Sequence, residues 1–169
     1  MTGSRAVVAL GSNLGDRLTH LQAALELVAA EPSVAVHAVS PVYETDPVGG
    51  PPQPAYLNAV ALLTVRLAPV QLLRTLQAVE VRRGRERAER WGPRTLDLDL
   101  VDYPPYAGAW EDLTLPHPRA HERVFVLRPW LDLDPAAVVT GRGAVAGLLA
   151  GLPPDGVRRR DDLGLRRPA

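Results

Sequence analysis

Two aspartates separated by a single leucine, Asp97 and Asp99 in the segment RWGPRTLDLDL (90–100), are the residues best suited to chemistry. Side chains on a strand alternate faces, so Leu96, Leu98 and Leu100 point one way and the two carboxylates the other. Their backbone positions then lie roughly 6.5 to 7 Å apart, close enough for the charges to repel on a dry, unpaired face. A hard divalent cation such as Mg²⁺ takes one or two carboxylate oxygens from a protein and fills its other positions with water and substrate phosphates. A solvated sheet face, or a strand edge blunted by charge, would use the same two residues without chemistry.

The neighbourhood weighs between these readings. Arg82, Arg83, Arg85, Arg87, Arg90 and Arg94 precede the pair in a segment that Gly84, Gly92 and Pro93 mark as a loop. Guanidinium forks match phosphate oxygens, and cations beside arginines are what phosphoryl transfer needs, because positioning and charge neutralisation dominate its catalysis. Without a ligand, the same arginines form a solvated charge run with Glu80, Glu86 and Glu89. Trp91 either stacks a flat heterocycle or plugs the core from the side, and Tyr56 and Phe125 raise the same question. Asn58 interrupts an apolar strand, where an amide is costly unless bonded. It offers a donor and an acceptor to a planar ligand, or else bonds a nearby turn. His117, between Pro116 and Pro118, either reaches a phosphate or is a turn residue. GSNLGD (11–16) lacks the spacings of the P-loop and dinucleotide motifs and reads as a tight turn in which Asn13 or Asp16 caps a helix.

Elements must hold these residues in place. Residues 5–10 form a short apolar strand, and Leu14, Leu18, Leu21, Leu25 and Val28 follow at helical spacing. VAVHAVSPVY and YLNAVALLTVR read as strands two and three, forming an antiparallel ribbon across a Pro- and Gly-rich loop. Pro69 opens a second helix whose apolar face runs through Val79 to a stop near Gly84. TLDLDLVDY is the fourth strand. The order strand, helix, strand, strand, helix, strand is the ferredoxin-like α+β arrangement, with helices on one sheet face and the other face open. Beyond it come a short LTLPHP strand or turn, a helical reading for VFVLRPWLDL and a weak helix at 144–150. Residues 1–152 are expected to form one domain, and 153–169 a loosely held tail.

Composition removes several function classes. The chain has 169 residues and no net charge, so nothing general draws it to nucleic acid or membrane. All 19 basic residues are arginine, which excludes a lysine nucleophile, and the absence of cysteine excludes thiol catalysis, thiolate metal sites and disulfides. The N-terminal residues lack the apolar run of a signal peptide, and a soluble cytoplasmic protein is expected.

Taken together, LGSNLGD, VSPVYETDPVG with PAYLNAV, ERWGPRTLDLDL and LPHPRAHERVFVL, in that order over residues 7 to 135, resemble the 6-hydroxymethyl-7,8-dihydropterin pyrophosphokinase family. The resemblance implies a ferredoxin-like core and transfer of the β,γ-pyrophosphoryl group of ATP to the pterin hydroxymethyl oxygen, with two Mg²⁺ ions and ATP as co-substrate. It implies that Asp97 and Asp99 bridge the metals and that Arg94 and Arg90 contact phosphates. Arg85 and Arg87 fall in the family's mobile catalytic loop. Gln77, Glu80, Thr114, His117 and Arg123 match ATP-side positions. Thr45, Asp46, Val48, Tyr56, Asn58 and Phe125 match the pterin pocket, where Tyr56 and Phe125 sandwich the ring, and Trp91 lines the site near both substrates. The implied protein is a monomer acting on two small molecules.

Three other readings compete. A single-strand nucleic-acid module would need aromatics on the central strands of a basic face, whereas the chain is neutral and that pattern acidic. A glycosidase would need two carboxyl groups across a sugar cleft, without the arginines. A metal-dependent nucleotidyltransferase shares the metal and phosphate logic and differs in the acceptor.

Overall fold

The computed structural model describes residues 2–84, 92–154 and 156–169. Strand β1 (Ser4–Ser12) enters helix α1 (Arg17–Ala29) through a turn closed by Asp16, whose carboxylate accepts the Thr19 N–H at 3.1 Å. The cap is therefore Asp16, the second of the two residues expected for that role. The long second strand divides into β2 (Val34–Val39) and β3 (Tyr43–Thr45). Ser40 and Pro41 separate them: proline has no N–H for a ladder, and the Ser40 hydroxyl accepts the Val60 N–H at 2.8 Å instead. Both pieces pair antiparallel with β4 (Tyr56–Val65), as the ribbon reading required. Helix α2 (Pro69–Arg82) opens with Pro69 in its first turn, and the Gln71 side chain accepts the Ala68 N–H.

Strand β5 (Asp97–Asp102) lies antiparallel to β1 at the sheet edge. A small ribbon of β6 (Gly108–Trp110) and β7 (Leu113–Leu115) follows, then a 3₁₀ turn at Ala120–Glu122 and helix α3 (Val124–Leu133). The chain continues through β8 (Val138–Val139), β9 (Gly143–Ala144), α4 (Val145–Ala150) and β10 (Val157–Arg159). The main sheet runs β10, β3, β4, β1, β5, with β2 also on β4. This is the expected ferredoxin-like α+β plan with an added strand.

Alternation on the central strands explains the two cores. Ala6, Val8 and Leu10 of β1, Leu57, Ala61 and Leu63 of β4, and Leu98 and Leu100 of β5 join Leu21, Leu25, Leu72 and Leu76 from α1 and α2. Val7, Val60, Leu62 and Val101 face the other way and pack on Val126, Leu127 and Trp130 of α3 and Val145 of α4. The second face was expected to be open, and this corrects it: α3 and α4 cover one half. The apolar residues of VFVLRPWLDL and of 145–150 needed a surface to bury against, and the Val-rich half of the sheet is that surface. The other half stays accessible, and the candidate site lies there.

The tail expectation is corrected as well. β10 pairs with β3 through Val157 opposite Thr45 and Arg159 opposite Tyr43. Leu163 and Leu165 pack on the first core, and Arg166 donates its backbone N–H to Gln22. A charge-rich sequence hid these anchors, because apolar residues at 157, 163 and 165 are too sparse to register as periodicity. No helix among the described residues is long and apolar enough to cross a membrane.

Candidate active site

Register builds the floor of the site. Asp97 of β5 lies opposite Gly11 of β1, and Gly11 opposite Asn58 of β4, while Asp99 lies opposite Ala9. Directly paired residues share a face, so Asn58, Gly11 and Asp97 form one row. With strands about 4.8 Å apart, the amide and the carboxylate rise from backbones roughly 10 Å apart. Gly11 keeps the middle of that row low, since a Cβ there would stand 2.9 Å from Asn58 Oδ1.

Above this floor is a cavity of about 640 Å³. Asp97, Asp99, Arg94, His117 and Arg123 line one end, and Thr45, Asp46, Val48, Tyr56, Asn58 and Phe125 also line it, so eleven of the expected site residues meet in one place. Asn58 is buried and donates from Nδ2 to Thr45 Oγ1 at 2.7 Å, which fixes the amide plane. That bond uses one of the two Nδ2 protons, and Oδ1 lies over Gly11 on the floor. At the acidic end, Arg123 approaches Asp99 Oδ2 at 3.5 Å and its guanidinium carbon lies 5.6 Å from the Phe125 ring centroid. Arg123 thereby joins the carboxylate end to the aromatic end.

The carboxylates fit a hard cation. Two oxygen-bearing side chains on one face, beside open volume, leave room for water and phosphate ligands. Among the described residues, no cluster of three or more His, Asp or Glu side chains is present.

His117 is fixed from both sides. Its N–H donates to the Val101 carbonyl at 2.7 Å, which ties the LPHPR segment to β5. Its Nδ1 accepts the Arg119 N–H at 3.1 Å, so the neutral ring carries its proton on Nε2. Burial, reinforced by the charges of Arg123 and Arg119 and opposed by Asp97, lowers its pKa from 6.5 to about 4. A neutral imidazole with an Nε2–H can donate to an anionic oxygen. Because the unfolded chain takes this proton first, the stability tied to neutral His117 is complete above pH 6.5 and is lost as pH falls toward about 4. In the ligand-free protein, His117→Gln is expected to flatten the fall of the urea midpoint across that window. A slope equal to that of the parent would assign the loss to other groups.

Other expected residues lie elsewhere. Glu80 is buried beneath β5, where Oε2 accepts the Leu98 N–H at 3.0 Å. It supports the strand that carries both aspartates rather than lining the cavity. Gln77, on the exposed side of α2, accepts from Arg74 at 2.8 Å. Thr114 is exposed on β7, opposite Ala109. Neither lines the cavity. Arg85, Arg87, Arg90 and Trp91 lie outside the described residues.

Sequence reasoning missed Asn13, which it weighed only as a helix cap. Asn13 is 1% exposed. Its Nδ2 donates to Gln53 Oε1 at 2.9 Å and the Pro54 carbonyl at 3.0 Å, while Oδ1 accepts the Arg94 N–H at 2.8 Å. One amide thus holds the loop on one side of the cavity to Arg94 on the other. Arg119 and Glu122, paired at 2.7 Å, also line the cavity, as do Gly156 and Val157 of the tail. The signal for Asn13 was available: an amide between two glycine-bearing turns has backbone groups within reach on both sides.

Fold and site together define the class: a ferredoxin-like α+β protein whose cleft brings carboxylates and arginines together with an amide and two aromatic rings. The family model for 7,8-dihydro-6-hydroxymethylpterin-pyrophosphokinase (HPPK) matches residues 7–135, and the chain belongs to that family. The 2-amino-4-hydroxy-6-hydroxymethyldihydropteridine pyrophosphokinase of Pseudomonas aeruginosa is 43% identical over 155 residues, covering 92% of this chain and 96% of its own. The protein of the same name from Mycobacterium tuberculosis is 43% identical over 179 residues, covering 98% and 92%. A solved Plasmodium falciparum HPPK-DHPS with pterin and p-hydroxybenzoate superposes with a TM-score of 0.68 at 14% identity, a likeness of fold. That match covers 89% of this chain and 42% of the longer one.

Proposed function

We propose that this chain transfers the β,γ-pyrophosphoryl group of ATP to the hydroxymethyl oxygen of 6-hydroxymethyl-7,8-dihydropterin, giving the pterin diphosphate and AMP in folate biosynthesis. The observation that carries this reading is the floor row of Asn58, Gly11 and Asp97 in a chain of this family. It separates a ring-binding end from an anion-binding end by about the width of two strand spacings.

Each residue then has a task. Asn58, held by Thr45, reads the edge of the pterin, and Tyr56 and Phe125 enclose its faces, with Asp46 and Val48 at the rim. Asp97 and Asp99 would hold two Mg²⁺ ions. Bound there, the ions supply charge neutralisation for the triphosphate and lower the pKa of the attacking hydroxyl. Arg94 and Arg123 orient phosphate oxygens, and His117 donates its Nε2–H to one of them. Arg85, Arg87, Arg90 and Trp91 complete the nucleotide side by family resemblance. The hydroxyl oxygen forms a bond to the β-phosphorus and releases its proton to solvent, while the bond from that phosphorus to the α,β-bridging oxygen breaks, its electron pair staying on that oxygen as AMP leaves. The protein acts as a cytoplasmic monomer on these two small molecules, without nucleic acid or membrane.

Incubation with ATP, Mg²⁺ and 6-hydroxymethyl-7,8-dihydropterin, followed by chromatography, tests the proposal. AMP and the pterin diphosphate are expected in equal amounts, and only with Mg²⁺ present. ADP in place of AMP would mean single-phosphoryl transfer. Pyrophosphate release with a nucleotidylated pterin would favour the nucleotidyltransferase reading.

A further inference from the structure

Residues 156–160 lie beyond the stretch that matches the family model, yet Gly156 and Val157 line the cavity beside Thr45 and Asp46. The segment 46–55, which carries Asp46, Val48 and Gln53, leaves β3 and returns to β4 without regular structure between. A loop of this kind needs its ends fixed if it is to present a binding surface.

Its first residue is gripped by the C-terminal strand. The Asp46 N–H donates to the Gly156 carbonyl at 2.9 Å, and Arg158 donates to Asp46 Oδ1 at 3.1 Å. Gly156 has φ +75°, and a Cβ there would lie 3.2 Å from Asp46 Oδ2, so the contact uses both the positive φ and the missing side chain. The far end of the loop is held from α1, by an arginine that shares Glu44 with the C-terminal strand. Arg17 donates to the Ala55 carbonyl at 2.9 Å and to Glu44 Oε2 at 3.1 Å. Arg160 reaches Glu44 Oε2 at 3.0 Å, and Arg158 lies 3.5 Å from Glu44 Oε1. Three arginines from two distant parts of the chain therefore converge on Glu44, immediately before the loop. Burial raises the Glu44 pKa, but the bonds and charges of Arg17, Arg160 and Arg158 outweigh it and hold the carboxyl below its usual range.

We propose that Gly156 and Arg158, acting with the Glu44 hub, are positioning elements for the pterin-side loop, so that the C-terminal strand sets affinity for the ring substrate without touching the phosphate end. This rests on the pyrophosphokinase reading. It gives the tail a task in the site. Arg158 is half exposed, so its removal leaves the core intact.

The test compares the full-length parent with Arg158→Ala, Arg158→Lys and Gly156→Ala, reading equilibrium binding of 6-hydroxymethyl-7,8-dihydropterin and steady-state kinetics. Because exposed ion pairs are weak, Arg158→Ala is expected to weaken pterin binding and raise its KM about fivefold. The KM for ATP and kcat should stay within about twofold. Arg158→Lys should restore part of the loss, and Gly156→Ala should exceed it because strained backbone is added. Unchanged pterin affinity in both alanine variants, or equal losses for ATP and pterin, would overturn the assignment. A parent that binds no pterin would instead strike the pyrophosphokinase reading itself.

Discussion

Replacing Asp97 or Asp99 by alanine is expected to lower pyrophosphoryl transfer by on the order of 10³ or more, while leaving the thermal midpoint close to that of the parent. The two halves of this expectation come from opposite faces of one strand. Leu98 and Leu100 are buried at 4% and 3% exposure in the core beneath α1 and α2, and each contributes about 1.5–3 kcal/mol by its burial. Neither substitution touches them. The carboxylates face the cavity, where Asp99 is partly accessible and meets Arg123 at 3.5 Å. A partly exposed pair of this kind contributes no more than about 1 kcal/mol. Turnover is another matter, because the charge these groups are proposed to hold in place is needed most as the phosphoryl group moves. Several kcal/mol of transition-state stabilisation correspond to a rate factor of about 10³. Rate measurements under saturating ATP and pterin, with circular dichroism as the fold control, decide it. Near-parental turnover in both variants would remove the carboxylates from the chemistry, and a collapsed midpoint would place them in the fold instead.

The division between what was legible and what was not follows the physics of each element. The alternation of Leu96, Leu98 and Leu100 with Asp97 and Asp99 is a local property of extended backbone, and it survives intact in β5. The two long helices were legible for a similar reason, since an apolar stripe must face a core. The cover over the second face was harder to foresee. VFVLRPWLDL reads as an apolar helix, but which surface it buries depends on Val60, Leu62 and Val101, residues remote in sequence that alternate out of the first core. The tail was misjudged because it is held mainly by backbone pairing with Tyr43–Thr45 and by arginines, neither of which has a periodic signature. Glu80 was placed on the nucleotide side by resemblance. Burial and a bond to the Leu98 N–H give it a supporting position under β5.

Asn13→Ala is expected to cost about 1–3 kcal/mol of stability and about a hundredfold in kcat/KM, a larger joint loss than any other change outside the aspartate pair. Asn13 is 1% exposed, and its amide joins Gln53 and Pro54 to Arg94, so that it ties together two residues that line the cavity, Gln53 and Arg94. Alanine would leave partly buried groups on both sides without that partner, and each wall could then drift from the geometry the reaction needs. Asn13→Asp separates the two walls. Its Oδ1 can still accept the Arg94 N–H, but no donor remains for the Pro54 carbonyl, and a carboxylate would face Gln53 Oε1. The aspartate variant should therefore raise the KM for the pterin while keeping kcat nearer the parental value, whereas the alanine variant lowers kcat as well. Identical kinetic profiles in the two variants would show that Arg94 is held without the Asn13 side chain, through the Asn13 backbone N–H that donates to the Arg94 carbonyl at 3.1 Å. An alanine variant with parental stability and turnover would remove Asn13 from the site's framework, leaving the remaining contacts of the loop, at Asp46 and Ala55, to hold the pocket.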